Sequence, residues 1–190
     1  MLIRSLVVFS FLLFLGACEE KSVDKTATSK DNTKPPVATA SMGENVSGKL
    51  AIYESFEELE HIFQNKNDTT YIINFWATWC KPCVAELPYF DDLYKEYKND
   101  KVKIILVSLD FPKQIETKLI PFIEKNNVLP EVKMLKDSDI NSWGEKVSKE
   151  WDGAIPITLI YNKDESIFVS GELHDYADLK DKVSPLVALN

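Results

Sequence analysis

Hydrophobic positions along the chain recur with more than one period, and the changes of period mark out the elements. Tyr71 to Trp76 is a run of β-formers and aromatics, and "VKIILVSLD", Val102 to Asp110, is apolar at nearly every position after Lys103. Apolar runs without alternation predict strands covered on both faces. From Cys80 the pattern changes: Cys83, Leu87, Phe90, Tyr94 and Tyr97 recur at intervals of four and three, one face of a helix that Pro88 kinks without ending. Upstream, Lys49 to Tyr53 predicts a short strand. Ser55-Phe56-Glu57-Glu58 then matches a capping box opening a helix with apolar Phe56, Leu59, Ile62 and Phe63. Downstream come a helix around Lys113 to Asn126, a short strand at Val132 to Leu135 and a helix near Asp139 to Lys149. "PITLIYNKDESIFVSG" predicts a hairpin turning at Asn162 to Glu165, and Leu179, Val183, Leu186 and Val187 lie on a closing helix.

The predicted order is βαβ-αβ with an inserted βα, then ββα. Alternating strands and helices followed by a hairpin and a closing helix imply an α/β sandwich with a mixed central sheet. Residues 49–190 are long enough for one domain with a real core.

The N-terminal part reads differently. Residues 1–17 combine one cation, Arg4, with an apolar run from Leu6 to Leu15 and then small residues. A membrane span needs about 20 apolar residues, so the pattern predicts a signal peptide in preference to a permanent anchor helix. Leu15-Gly16-Ala17-Cys18 resembles a bacterial lipobox, which makes Cys18 the lipidated first residue of the mature chain. Several acyl chains on one residue anchor stably where a single chain is marginal. Residues 18–48 carry no aromatic residue and are rich in Lys, Asp, Ser, Thr, Ala and Pro. Such a composition cannot bury enough apolar area to offset its ordering entropy, and it predicts a flexible tether with a span of ~30 Å. The compartment expected is extracytoplasmic, with the domain held at a membrane. A formal net charge of -8 argues against nucleic acid as a partner.

Three cysteines are present, and two of them, Cys80 and Cys83, stand at the start of the predicted helix. There the first sulfur meets backbone N–H groups and the positive end of the helix dipole, with Lys81 adding a cation beside it. These effects lower the Cys80 pKa from ~8.5 toward neutrality and make it a thiolate nucleophile. Cys83 lies on the apolar stripe with Leu87 and Phe90, as a buried thiol of higher pKa. The expected roles are attack by Cys80 and resolution by Cys83, with Cys80 exposed. A purely structural disulfide is a poor alternative, because so small a loop removes little unfolded-state entropy. A zinc half-site lacks a second ligand pair: no Cys follows Cys83, and His61 and His174 are far apart in sequence.

Asn74-Phe75-Trp76-Ala77-Thr78-Trp79-Cys80-Lys81-Pro82-Cys83, followed by Glu86-Leu87-Pro88, resembles the membrane-tethered thiol-disulfide oxidoreductases of the TlpA/ResA type within the thioredoxin superfamily. The resemblance runs from about Lys49 to Asn190 and includes the inserted βα unit. It implies a thioredoxin-like α/β/α sandwich. It also implies a cis bond at Ile155-Pro156, with Pro156 facing the cysteine pair and Ile155 offering backbone groups to an extended substrate. Trp79 in this family covers the dithiol, with Lys81 and Pro82 beside it on the substrate-facing surface, while Trp76 packs on the sheet. Trp143 and Trp151 read as core or helix-packing residues. Asn74 stands where thioredoxins carry a buried Asp, and Glu86 is the residue expected to take over as proton acceptor. The Gly-rich sequence that cytochrome-maturation members carry before Pro156 is missing here.

The function expected is an extracytoplasmic, lipid-anchored oxidoreductase that reduces protein disulfides. It needs no cofactor or metal beyond the redox-active pair Cys80–Cys83, which a membrane electron donor of the thiol-transfer type re-reduces. The alternative from another class is a thioredoxin-fold metallochaperone holding Cu(I), since soft thiolates suit that ion; no Met or His flanks the pair. A peroxidase reading ranks below both. Cys18→Ser is expected to release the protein from membranes, measured by fractionation, while disulfide reduction by the domain persists. Membrane retention of that variant would instead point to a spanning helix.

Overall fold

The computed structural model describes residues 50–188. The segments expected to be a signal peptide and a tether, with Cys18 and Lys49, lie outside the described residues, as do the last two positions. In chain order the elements are β1 (Leu50–Tyr53), α1 (Phe56–Leu59), β2 (Thr70–Trp76), α2 (Lys81–Tyr97), β3 (Val102–Ser108), α3 (Ile120–Asn126), β4 (Glu131–Leu135), α4 (Ile140–Val147), β5 (Ile157–Tyr161), β6 (Ser166–Ser170) and α5 (Tyr176–Ala188). One sheet runs β1-β4-β3-β2-β5-β6. The first four strands are parallel, β5 pairs antiparallel with β2, and β6 pairs antiparallel with β5. The mixed sheet expected from the sequence is therefore present.

Period-two alternation decides what each face touches. From β2, Ile72 and Trp76 join a core with Leu87 and Phe90 of α2, Ile123 of α3, and Leu179 and Val183 of α5. The intervening Tyr71, Ile73 and Phe75 join a second core with Phe56, Leu59, Trp143 and Trp151. Helices α2, α3 and α5 thus cover one face, and α1 and α4 the other. Asn74 falls on the α2 side of this alternation, a buried polar position between Ile72 and Trp76.

Three local expectations need correction. Ser55 is the N-cap of α1 but makes no side-chain capping bond; the Glu58 carboxylate accepts from the Glu54 amide at 3.0 Å. After one α-turn the chain tightens into a 3-10 turn, Glu60–Phe63, so little helix exists for a box to start. The helix expected over Lys113 to Asn126 is three pieces: a 3-10 turn at Pro112–Gln114, a π-turn at Ile115–Leu119, then α3. It ends where Asn127 adopts φ 48 and its amide and that of Val128 bond back to Glu124 and Ile123, a left-handed cap suited to asparagine. Finally, β3 stops at Ser108, which frees Leu109 and Asp110 for a loop.

The hairpin turns where expected, on an Asn162 side chain whose oxygen accepts from the amides of Asp164 and Glu165, both at 2.8 Å. Its amide nitrogen donates to the Leu186 carbonyl at 3.1 Å, tying the turn to α5. Asn162→Ala removes all three bonds from a buried position and is expected to cost about 2 kcal/mol in urea unfolding. An unchanged unfolding midpoint would show that the turn is held without this side chain.

Candidate active site

The cysteine pair lies at the junction of β2 and α2. Residues 77–80 make a turn closed by the Cys80 amide donating to the Ala77 carbonyl at 3.1 Å. Cys80 is the N-cap of α2, with φ -87 and ψ 103, and its sulfur accepts the Cys83 amide at 3.3 Å. A sulfur so placed satisfies a helix N-terminal N–H and meets the positive end of the dipole. Lys81 and Pro82 occupy the first helical positions, where proline's missing N–H costs nothing. Cys80 and Cys83 form a disulfide with Cα atoms 5.3 Å apart.

Exposure differs from the sequence expectation. Cys80 is only 6% exposed and Cys83 is fully buried, so the asymmetry runs in the expected direction while Cys80 is no open surface thiol. The loop at 155–156 lies against it: the Cys80 sulfur is 3.8 Å from the Ile155 carbonyl oxygen. In the disulfide this is a contact, since no S–H exists to donate; the reduced thiol can donate there. The Ile155-Pro156 bond is cis and Pro156 is buried. Sheet register brings this loop in. Phe75 pairs with Ile157 across β2 and β5, which sets residues 155–156 beside the end of β2 and hence beside the cysteine turn.

Glu86, one turn along α2 from Cys83, is 1% exposed. Its carboxylate accepts from Asn74 Nδ2 at 2.8 Å and from the Leu173 amide at 2.9 Å. Burial pushes its pKa up from 4.5 to about 7; the two hydrogen bonds pull the other way, and the nearby Glu172 charge adds to the rise. Asn74 Nδ2 also lies 3.1 Å from Thr158 Oγ1 and 3.2 Å from the Ile157 carbonyl, so one amide group links β2, β5 and α2. The sequence separates Asn74 and Glu86 as a lost acceptor and its replacement; the structure joins them as donor and acceptor.

Trp79 is 51% exposed and stacks on Phe111, 56% exposed, with centroids 5.9 Å apart. They border a cleft of about 260 Å³ that Leu109, Leu135, Ile140 and Ile155 also line. Lys81 is exposed and Pro82 half-buried. Trp76 is buried on the sheet, and Trp143 and Trp151 are core residues. Trp151 does more than fill space, because its indole N–H donates to the Ala154 carbonyl at 2.7 Å, next to Ile155. Sequence reasoning did not single out Thr78, Ser108, Asp110, Phe111 or the Leu173 amide. The one signal available was Asp110, a charge ending an apolar strand. Among the described residues no group of three or more His, Cys, Asp or Glu is placed to hold a metal ion, and no helix is long and apolar enough to cross a membrane.

The sequence profile of the AhpC/TSA family matches residues 58–170. The chain is 64% identical over 39 residues to a thiol-disulfide oxidoreductase ResA of Oceanobacillus iheyensis, covering 20% of each chain. With a protein of the same name from Geobacillus thermodenitrificans it shares 30% identity over 117 residues, 61% of this chain and 62% of that one. The matched stretches thus span less than two thirds of these relatives' own lengths. Among solved structures, a thioredoxin-related protein from Neisseria meningitidis serogroup B superposes with a TM-score of 0.55 at 23% identity, covering 66% of this chain and 90% of that one. That likeness shows a thioredoxin-like α/β fold.

The raised pKa of Glu86 has a stability consequence whose sign is definite. A carboxyl whose folded pKa lies above its unfolded value favours the fold fully below about pH 4.5, and that contribution is lost as pH rises through about 7. Glu86→Gln removes the titration. From pH 4 to pH 8 the unfolding free energy of the variant is expected to gain on wild type by up to about 3 kcal/mol, measured by urea unfolding at each pH. Parallel curves would show that Glu86 does not titrate as its burial implies.

Proposed function

The chain belongs to the AhpC/TSA family, and from that footing we propose that it is a thiol-disulfide oxidoreductase reducing protein disulfides through Cys80 and Cys83. The observation that carries this reading is the disulfide itself: Cys80 caps a helix that carries a buried carboxyl of raised pKa, and lies against the carbonyl before a cis proline. The relatives it resembles are named thiol-disulfide oxidoreductases, which supports the same activity.

In the reduced protein the Cys80 thiolate attacks one sulfur of a substrate disulfide. The substrate S–S bond breaks, its other sulfur leaves as a thiolate that takes up a proton, and Cys80 becomes joined to the substrate. Glu86 accepts the Cys83 proton, and the Cys83 thiolate attacks the Cys80 sulfur. The Cys80–Cys83 bond forms and the second substrate thiol leaves, so two electrons have passed from protein to substrate. A carboxyl with a pKa of about 7 can take and return a proton near neutral pH, which an Asn at 74 cannot. The backbone of Ile155, beside Pro156, positions the substrate chain, with Trp79, Lys81 and Pro82 on the surface it meets. In this reading a membrane electron donor of the thiol-transfer type re-reduces the pair. Cys18 carries the lipid anchor, and residues 18–48 tether the domain on the extracytoplasmic side.

Cys83→Ser is expected to accumulate mixed disulfides on Cys80, seen on non-reducing gels, and Cys80→Ser to form none. Glu86→Gln is expected to slow release of those mixed disulfides and to alter the pH dependence of that step. Reduction of insulin by wild type but no trapping in Cys83→Ser would reverse the roles assigned to the two thiols. An equilibrium potential near ~-120 mV in place of ~-270 mV would reverse the direction of electron flow.

A further inference from the structure

Two carboxylates are buried among the described residues, Glu86 and Asp110, and the second has no part in the chemistry above. Asp110 is 2% exposed. Its carboxylate accepts from Thr78 twice over: Thr78 Oγ1 reaches Oδ1 at 2.5 Å, and the Thr78 amide lies 3.1 Å from Oδ2 and 3.3 Å from Oδ1. Ser108 Oγ donates to Oδ2 at 2.9 Å, and the Asp110 amide lies 3.1 Å from the same hydroxyl. Desolvating a carboxylate is costly, and here the compensation comes from the Ser108 hydroxyl and from the backbone and side chain of Thr78, two residues before Cys80.

Register explains how this charge arrives there. Ser108 pairs with Trp76 at the ends of β3 and β2, and the Leu109 amide donates to the Trp76 carbonyl at 2.8 Å. Asp110 therefore emerges level with Thr78. The next residue, Phe111, stacks on Trp79, the residue after Thr78. The turn 77–80 is thus held to the end of β3 by a buried carboxylate beneath and an aromatic pair outside. Within that turn Cys80 has little room, with its sulfur between the Cys83 amide and the Ile155 carbonyl.

We infer that Asp110 is a positioning residue for Cys80: by gripping Thr78 it holds the turn so that the Cys80 sulfur keeps the Cys83 amide as a partner. The inference rests on the role proposed for Cys80 but makes its own demand. Loss of the grip lets the sulfur drift from the amide, which favours the thiol over the thiolate. Loss of a nearby negative charge would do the opposite and favour the thiolate. Position and charge therefore move the Cys80 titration in opposite directions.

The test is iodoacetamide alkylation of Cys80 in the reduced full-length chain as a function of pH, with the modified cysteine identified by peptide mass. Alkylation reads the thiolate whether or not the protein reduces disulfides. Failure of wild type to reduce insulin would remove the proposed function and leave this measurement intact. Asp110→Ala, folded by circular dichroism, is expected to alkylate about tenfold more slowly at neutral pH, with its pH midpoint raised. Asp110→Asn keeps an acceptor oxygen toward Thr78 and can donate to Ser108, so it is expected to return to within about threefold of wild type. If Asp110→Ala does not fold, Thr78→Val decides, with slower alkylation and a raised midpoint expected. Wild-type rates and midpoints in the folded variant used would overturn the inference. So would a lowered midpoint in both Asp110 variants, which would assign Asp110 an effect of charge and not of position.

Discussion

The buried carboxyl of Glu86 is the constraint around which the candidate site is arranged. Placing an ionisable group at 1% exposure is costly, and only directed donors reduce the penalty. Its two donors come from remote parts of the chain, Asn74 on β2 and the Leu173 amide beyond β6. The group therefore holds α2, the central strand and the segment leading into α5 in one arrangement. The two bonds fall short of cancelling the desolvation, which leaves the carboxyl near neutrality. Structural strictness and a carboxyl pKa close to neutral pH thus have the same origin.

The rest of the site follows from where strands end. In a parallel sheet the loops after neighbouring strands emerge on one side, and here the loops after β2 and β3 meet there. The antiparallel β5 enters the sheet from that same side, so the loop preceding it, residues 155–156, comes to the cysteine turn from the other flank. Cys80, in the loop after β2, lies against the 155–156 loop, and the loop after β3 holds the same turn through Thr78 and Trp79; register brings all three together. Side chains then refine the contacts: Asp110 and Phe111 on one flank, and Trp151, through the Ala154 carbonyl, on the other.

Local pattern accounts for much of this. The apolar runs of β2 and β3, the stripe of α2 and the hairpin at Asn162 were legible because each depends on neighbours within a few residues. So was Cys-x-x-Cys at a helix start, since helix N-terminal electrostatics are set by the adjacent backbone. The expected burial of Cys83 came from the same stripe. Where local signals competed, the reading was less faithful. The capping box at Ser55 opened only one α-turn, and the apolar segment 113–126 broke into 3-10, π and α pieces around Pro112 and Pro121.

By itself, then, the sequence determined the α/β order, the cysteine pair at the helix start, the resemblance that singles out Pro156, and Glu86 as the carboxylate near Cys83. The order and the cysteine pair rest on residue type and short-range spacing, whereas Pro156 and the place of Glu86 rest on the family resemblance. Only the tertiary structure decided that Glu86 is shared with Asn74 and Leu173, that Cys80 is nearly enclosed, and that Asp110 grips Thr78. Those depend on strand register between β2 and both β3 and β5, across separations of 32 residues for Thr78–Asp110 and 75 for Cys80–Ile155. Register follows from the packing of the two apolar faces together, a property of the whole sheet that no single stretch of chain contains.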